Sequence, residues 1–132
     1  MKYAWVEVPI RLLMALLFLV SATIKMADTA AIQAYMHAYG VPEILVWPAA
    51  AYEYTAGTLL LVGFCICPVA VLPAGWCVLT AVIFHTEWSN LDQLMNFFKN
   101  LTMVAGFLML AKNRSWCASI DGVLASDRQI SH

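Results

Sequence analysis

The sequence predicts an all-α integral membrane protein, a four-helix bundle forming one domain over residues 1–132, with both termini cytoplasmic. Three observations carry that expectation. The chain is 63% hydrophobic and 11% charged, whereas soluble domains run nearer about half apolar and about a quarter charged. A chain of 132 residues folding in water has too little interior to hide so much apolar surface. The apolar residues also gather into runs long enough to cross a bilayer, joined by a hydrophilic loop, a tight turn and a second hydrophilic loop.

The first span is expected over about 5–25. Lys2, Glu7 and Arg11 lead into an apolar run from Leu12 to Val20, which closes on Ser21-Ala22-Thr23-Ile24-Lys25. A basic start, an apolar middle and small residues also describe a signal peptide; the segment is read as a retained helix. Arg11 and Lys25 are fourteen residues apart, close to four helical turns, so one face carries a cation near each end. Residues 26–43 read as a loop with an amphipathic piece. Ala30 to Met36 suits a short helix lying on the membrane surface, and Gly40-Val41-Pro42 stops it. His37 in this loop reads as a solvated residue.

The second span is expected over about 44–67. Pro48 falls in its first turn, where proline is tolerated. Glu53 lies near the middle, flanked by Tyr52 and Tyr54, with Gly57 four residues on. That glycine shares the glutamate's face and permits a close neighbour. Pro68 and its surroundings are read as the tight turn, and the third span follows over about 69–85. Pro73 and Gly75 bend its early turns, while His85 and Trp88 mark its far end. Glu87, Asn90, Asp92 and Gln93 make a polar loop before the fourth span, about 94–111. Lys112 and Arg114 close that span, and 113–132 reads as an interfacial or cytoplasmic tail.

Charge placement sets the orientation. One side carries Lys2, Arg11, Lys112 and Arg114; the other has only Lys25 and Lys99, both within helices, among Asp28, Glu43, Glu87 and Asp92. The excess of lysine and arginine marks the cytoplasmic side. The net charge of -1 and the scattered basic residues exclude a nucleic-acid partner. The four cysteines, Cys65, Cys67, Cys77 and Cys117, include no Cys-x-x-Cys pair, so neither a thioredoxin-like nor a zinc-ribbon site is expected. They read as small, packing residues. No metal site is expected either, since only one histidine is well placed and no ligand spacing occurs.

The polar residues inside the spans are the candidate site, because each is costly in hydrocarbon. Placed by depth, Lys25, Glu53, His85, Asn96, Lys99 and Asn100 all fall in the outer half of the bundle, with Glu53 roughly 14 Å down. A lone carboxylate there would be expelled or protonated. Lys99 or Lys25 can snorkel toward it, and the pair Glu53–Lys99 is the expected structural ion pair. Two readings stay open. One is a buried ion pair that locks the bundle. The other is an outward-facing polar pocket in which Glu53, His85 and Lys99 are catalytic and Lys25, Asn96 and Asn100 bind the substrate. Such a set can hold an anionic or quinol-like molecule and shuttle its protons.

The same residues carry a resemblance. Arg11-Leu12-Leu13, Ser21-Ala22-Thr23-Ile24-Lys25, Glu53 with Gly57, Phe84-His85, Asn96-Phe97-Phe98-Lys99-Asn100-Leu101 and Ser119-Ile120-Asp121 make the chain resemble the DoxX family of small four-helix bacterial membrane proteins. It departs from relatives at Cys65-Ile66-Cys67-Pro68, where a threonine-arginine pair is frequent, and at Ala22, where glycine is frequent. The resemblance implies a multi-pass protein of the bacterial inner membrane. It links the chain to quinone-dependent oxidation and quinone detoxification, as a component of a quinone-linked oxidoreductase system. No cofactor is expected to be covalently bound. Quinone is the cofactor implied, and the implied partners are lipid and either other membrane subunits or a second copy of the chain. The alternative is a non-catalytic structural or assembly subunit of a larger membrane complex. Activity carried over from fold alone is analogy.

Overall fold

The computed structural model describes residues 4–112. Lys2, Arg114, the expected tail and its Ser119-Ile120-Asp121 motif lie outside the described residues. Five α-helices follow one another: α1 (Ala4–Ala27), α2 (Thr29–Ala38), α3 (Val46–Val62), α4 (Ile66–Phe84) and α5 (Leu91–Lys112), with a 3-10 turn (Glu43–Leu45) leading into α3. Three stretches, Val8–Ala27, Ile66–Phe84 and Leu91–Lys112, are long and apolar enough to cross a membrane. α3 is shorter, at 17 residues, and rises about 26 Å.

The long helices pack as two tight pairs, α1 on α3 and α4 on α5, with lighter contact between the pairs. The α1–α3 seam is built on small residues. Ala15, Ala22, Ala50, Ala56 and Gly57 are buried, and a Cβ placed on Gly57 would sit 2.9 Å from Leu19 and 3.2 Å from the Ala15 carbonyl. Only glycine lets the two backbones approach this closely. Ala15 meets Gly57 while Lys25 meets Glu53, so the two helices run antiparallel.

The core fills one half of the bundle. Phe18, Leu60, Ile66, Phe107 and Leu110 are buried together there, and Phe18 meets Phe107 edge to face with ring centroids 5.4 Å apart. The outer surface is apolar instead of charged: Leu13 is 68% exposed, Leu72 61% and Met109 75%. A patch of that extent belongs against lipid.

Two boundaries differ from expectation. The break between the second and third long helices falls at Gly63-Phe64-Cys65, not at Pro68. Gly63 takes the left-handed conformation (φ 73°) and its N–H and that of Phe64 both return to the Leu59 carbonyl, at 2.9 and 3.0 Å. This is the way a helix ends on glycine. Pro68 sits instead in the first turn of α4, where a missing N–H costs nothing. The last helix begins at Leu91 and not near 94, because the Asn90 side chain accepts from the Asp92 N–H at 3.0 Å and starts it early. The surface helix forms as expected but runs longer, with Asp28 capping it through the Ala31 N–H at 3.3 Å.

Candidate functional site

Next to the core, toward α2, lies a cavity of about 610 Å³ that shares Phe18 and Cys77 with it. α1, α3, α4 and α5 wall it, and α2 lies across its end. Its surface is mainly apolar and aromatic, with Phe18, Tyr35, Tyr52, Trp76 and Phe84 contributing rings. Polar atoms converge on one wall.

Glu53 is the hub. Its carboxylate accepts from Lys25 Nζ at both oxygens, 3.0 Å to Oε1 and 2.9 Å to Oε2. Oε1 also accepts from the Trp76 indole N–H at 3.0 Å. Lys25 donates further to Ser21 Oγ at 2.8 Å. Three helices are thus tied at one carboxylate: α1 through Lys25, α3 through Glu53 and α4 through Trp76. The Glu53 side chain is 5% exposed and that of Lys25 is 19%. The geometry follows from local sequence. Ser21 lies one turn before Lys25 on α1 and so stands beneath its ammonium. The close α1–α3 approach at Gly57 sets Glu53, one turn before it, within reach.

A second polar chain lies at the α2 end of the cavity. His85 Nδ1 and Gln93 Oε1 are 2.7 Å apart, and Gln93 Nε2 donates to the Tyr39 hydroxyl at 3.3 Å. Tyr35, on α2 and outside the spans, stacks on Phe84 at 5.4 Å and donates to its carbonyl at 3.4 Å. Burial, and then the neighbouring Tyr39 hydroxyl, hold the Tyr35 phenol above its usual value.

The six expected site residues separate into two groups. Lys25, Glu53, His85 and Asn100 line the cavity. Asn96 does not reach it; its carbonyl accepts from the Asn100 amide at 3.3 Å. Lys99 does not reach it either, and the expected Glu53–Lys99 pair is corrected. Glu53 pairs with Lys25, and Lys99 is exposed. The reason is helical phase. Asn100, Met103, Phe107 and Leu110 recur at the spacing of one face, and that face points inward. Lys99, one residue away, is turned about 100° off it.

Trp76 and Tyr52 were not among the expected residues. A signal for Trp76 existed, since an indole N–H inside an apolar helix requires an acceptor, and Glu53 is a carboxylate within a facing span. Among the described residues, no three histidine, cysteine, aspartate or glutamate side chains converge to hold a metal.

Comparison with known proteins fits this picture. The DoxX family model matches residues 7–86. The chain is 36% identical over 114 residues to the inner membrane protein YqjF of Escherichia coli, covering 86% of this chain and 88% of that one. It is 30% identical over 118 residues to the Escherichia coli inner membrane protein YphA, covering 84% of each. No solved structure matches it. A family match that takes in α1, α3 and α4 with their shared ion pair, and two inner-membrane relatives aligned over most of their length, place this chain in the DoxX family as a multi-pass inner-membrane protein.

Proposed function

We propose that this chain is a component of a quinone-linked membrane oxidoreductase system, and that its cavity takes the ring of a quinone or quinol. The observation that carries this reading is the position of the Lys25–Glu53 pair. It is not sealed into packing; it lines an aromatic cavity of about 610 Å³. Small-molecule sites are of this kind, mostly apolar with a few convergent polar groups.

A quinone supplies two-electron, two-proton redox chemistry. The chain's part is to bind and to move protons. Lys25, exchanging its bond to Ser21 for one to a ring oxygen, would favour negative charge developing there. The Asn100 amide supplies a second polar contact from the facing wall. Glu53 exchanges a proton with the bound oxygen, and His85 passes it to the outer loop. Electrons arrive from a reduced substrate or a partner's redox centre. In this reading α3 is a fourth span, both termini are cytoplasmic and the cavity opens outward. Lys99 no longer has a catalytic role.

A second reading is favoured by one observation: the three ammonium hydrogens of Lys25 are already matched by Ser21 Oγ and two Glu53 oxygens. A pair so satisfied can simply lock three helices together in an assembly subunit. The test is extraction of quinone from wild type and Glu53→Gln, each purified in lipid nanodiscs. Quinone in the wild type, lost from a variant of equal yield, supports the redox reading. An empty wild type, with a variant that fails to assemble, supports the lock.

A further inference from the structure

We infer that the cavity is loaded sideways from the bilayer, past the outer flank of α1, by a lipid-soluble amphiphile whose polar head reaches Lys25 and Ser21 and whose alkyl chain trails between Leu17, Val20, Ile24 and Ile32. This deepens the quinone reading and rests on it only for the identity of the head.

A second, smaller recess of about 250 Å³ lies against α1, lined by Leu17, Val20, Ser21, Ile24, Lys25 and Ile32. Four of these, Leu17, Ser21, Lys25 and Ile32, also line the main cavity. The two spaces therefore share a wall, and the polar atoms of Lys25 and Ser21 belong to both. Val20 and Ile24 add the outer side of the recess. They are 50% and 53% exposed within a stretch that spans the membrane, so what they face is lipid.

The neighbouring seam, between α1 and α5, is thinly packed. Met14 lies against Gly106 and Phe18 meets Phe107, both in the core half. In the cavity half, the α1 wall is Leu17, Ser21 and Lys25 and the α5 wall is Asn100 and Met103. By contrast, the aqueous end is bridged. Tyr35, Tyr39 and Phe84 pack their rings across it with centroids 4.9 to 5.5 Å apart, and the His85–Gln93–Tyr39 chain runs beside them. A recess that begins in lipid and shares Lys25 and Ser21 with the main cavity selects a molecule with a tail and a small polar head.

Trp76 lines the main cavity and reports its contents by fluorescence. The test uses the full chain in lipid nanodiscs with Trp5, Trp47, Trp88 and Trp116 changed to Phe. The lipid-soluble probe is 2-bromododecanol, and the water-soluble probe of the same head is 2-bromoethanol. The dodecanol should quench Trp76 saturably while bromoethanol does not. Ile24→Phe should reduce the dodecanol quenching and Ile24→Ala should raise it, whereas Val82→Phe, on a lipid-facing site of α4 (57% exposed), should leave it unchanged. Equal quenching by both probes, or quenching indifferent to residue 24, overturns the lateral route. Saturable dodecanol quenching in a protein that yields no quinone on extraction leaves the route standing and removes the quinone.

Discussion

The ion pair at Glu53 allows its structural and chemical roles to be measured separately. Lys25 Nζ lies 2.9 Å from Glu53 Oε2, where two unit charges attract by about 6 kcal/mol at an effective dielectric constant near 20. Desolvation of both groups takes back much of this, so the net value of the pair is small while the cost of orphaning one partner is about 3–5 kcal/mol. The two single changes should differ. Glu53→Gln leaves an ammonium whose side chain is 19% exposed and can swing toward the headgroups, so its cost should lie near the low end, about 3 kcal/mol. One amide oxygen can still accept from Trp76, but the amide nitrogen then faces another donor. Lys25→Met strands a carboxylate that is 5% exposed with only the indole N–H for company, and should cost more. The double variant removes both charges and should recover most of the loss, with a coupling of about 2 kcal/mol or more. Reversible unfolding in mixed detergent micelles, on all four proteins, measures this cycle. Additive singles, with coupling below about 0.5 kcal/mol, would refute the claim that these two groups form one unit.

Other substitutions probe the surrounding geometry. Trp76→Phe keeps the ring and removes the donor to Glu53 Oε1; the same unfolding assay should show a loss of about 2 kcal/mol, as for a hydrogen bond to a charged group. Gly57→Val puts a Cβ 2.9 Å from Leu19 and should cost about 1–3 kcal/mol through overpacking. Gly75→Ala, whose Cβ would meet nothing within 4 Å, should stabilise α4 by about 0.5–1 kcal/mol. Lys99→Ala should leave both quinone content and the Lys25–Glu53 coupling unchanged, because Lys99 lies off the cavity wall; a loss of quinone equal to that of Glu53→Gln would show that α5 is turned differently.

The class of fold was legible because bulk composition and run length are properties of the membrane as solvent, and lipid imposes few alternatives. Depth, which needs only the rise per residue, grouped Lys25, Glu53, His85, Asn96, Lys99 and Asn100; of these, Lys25, Glu53, His85 and Asn100 line one cavity. Rotation about the helix axis was harder. Asn100 and Lys99 are neighbours in sequence at one depth, and the choice between them rests on the phase of Met103, Phe107 and Leu110 three to ten residues on. That phase was present in the sequence, but a lysine's long reach made either side look feasible. The turn between α3 and α4 was misplaced because proline is a conspicuous stop signal, while Gly63, which supplies the left-handed residue, is a quieter one. Trp76 was passed over because an aromatic residue in an apolar helix is ordinarily packing, and its single polar hydrogen becomes informative only once Glu53 is known to face it.

The cavity itself follows from how side-chain volume is graded along the inward faces. On α5 the inward series runs Asn100, Met103, Phe107, Leu110; on α1, read in the opposite direction, it runs Lys25, Ser21, Phe18, Met14. Both series are polar or thin toward the α2 end and bulky and apolar toward the other. Where both are bulky they meet, as Phe18 on Phe107, and the two helix pairs close on a core. Where both are thin or polar the pairs cannot close, because an ammonium and a carboxylate tied to each other and to Trp76 leave no apolar volume to fill the gap. The gap is therefore encoded by the same residues that line it. A bundle selected only to be locked by an ion pair would be better served by Leu at position 100, since native interiors leave few voids larger than a water molecule. Serine at 21 serves the ion pair on either reading, through its bond to Lys25; asparagine at 100 is the choice that the proposed occupant explains and a lock does not.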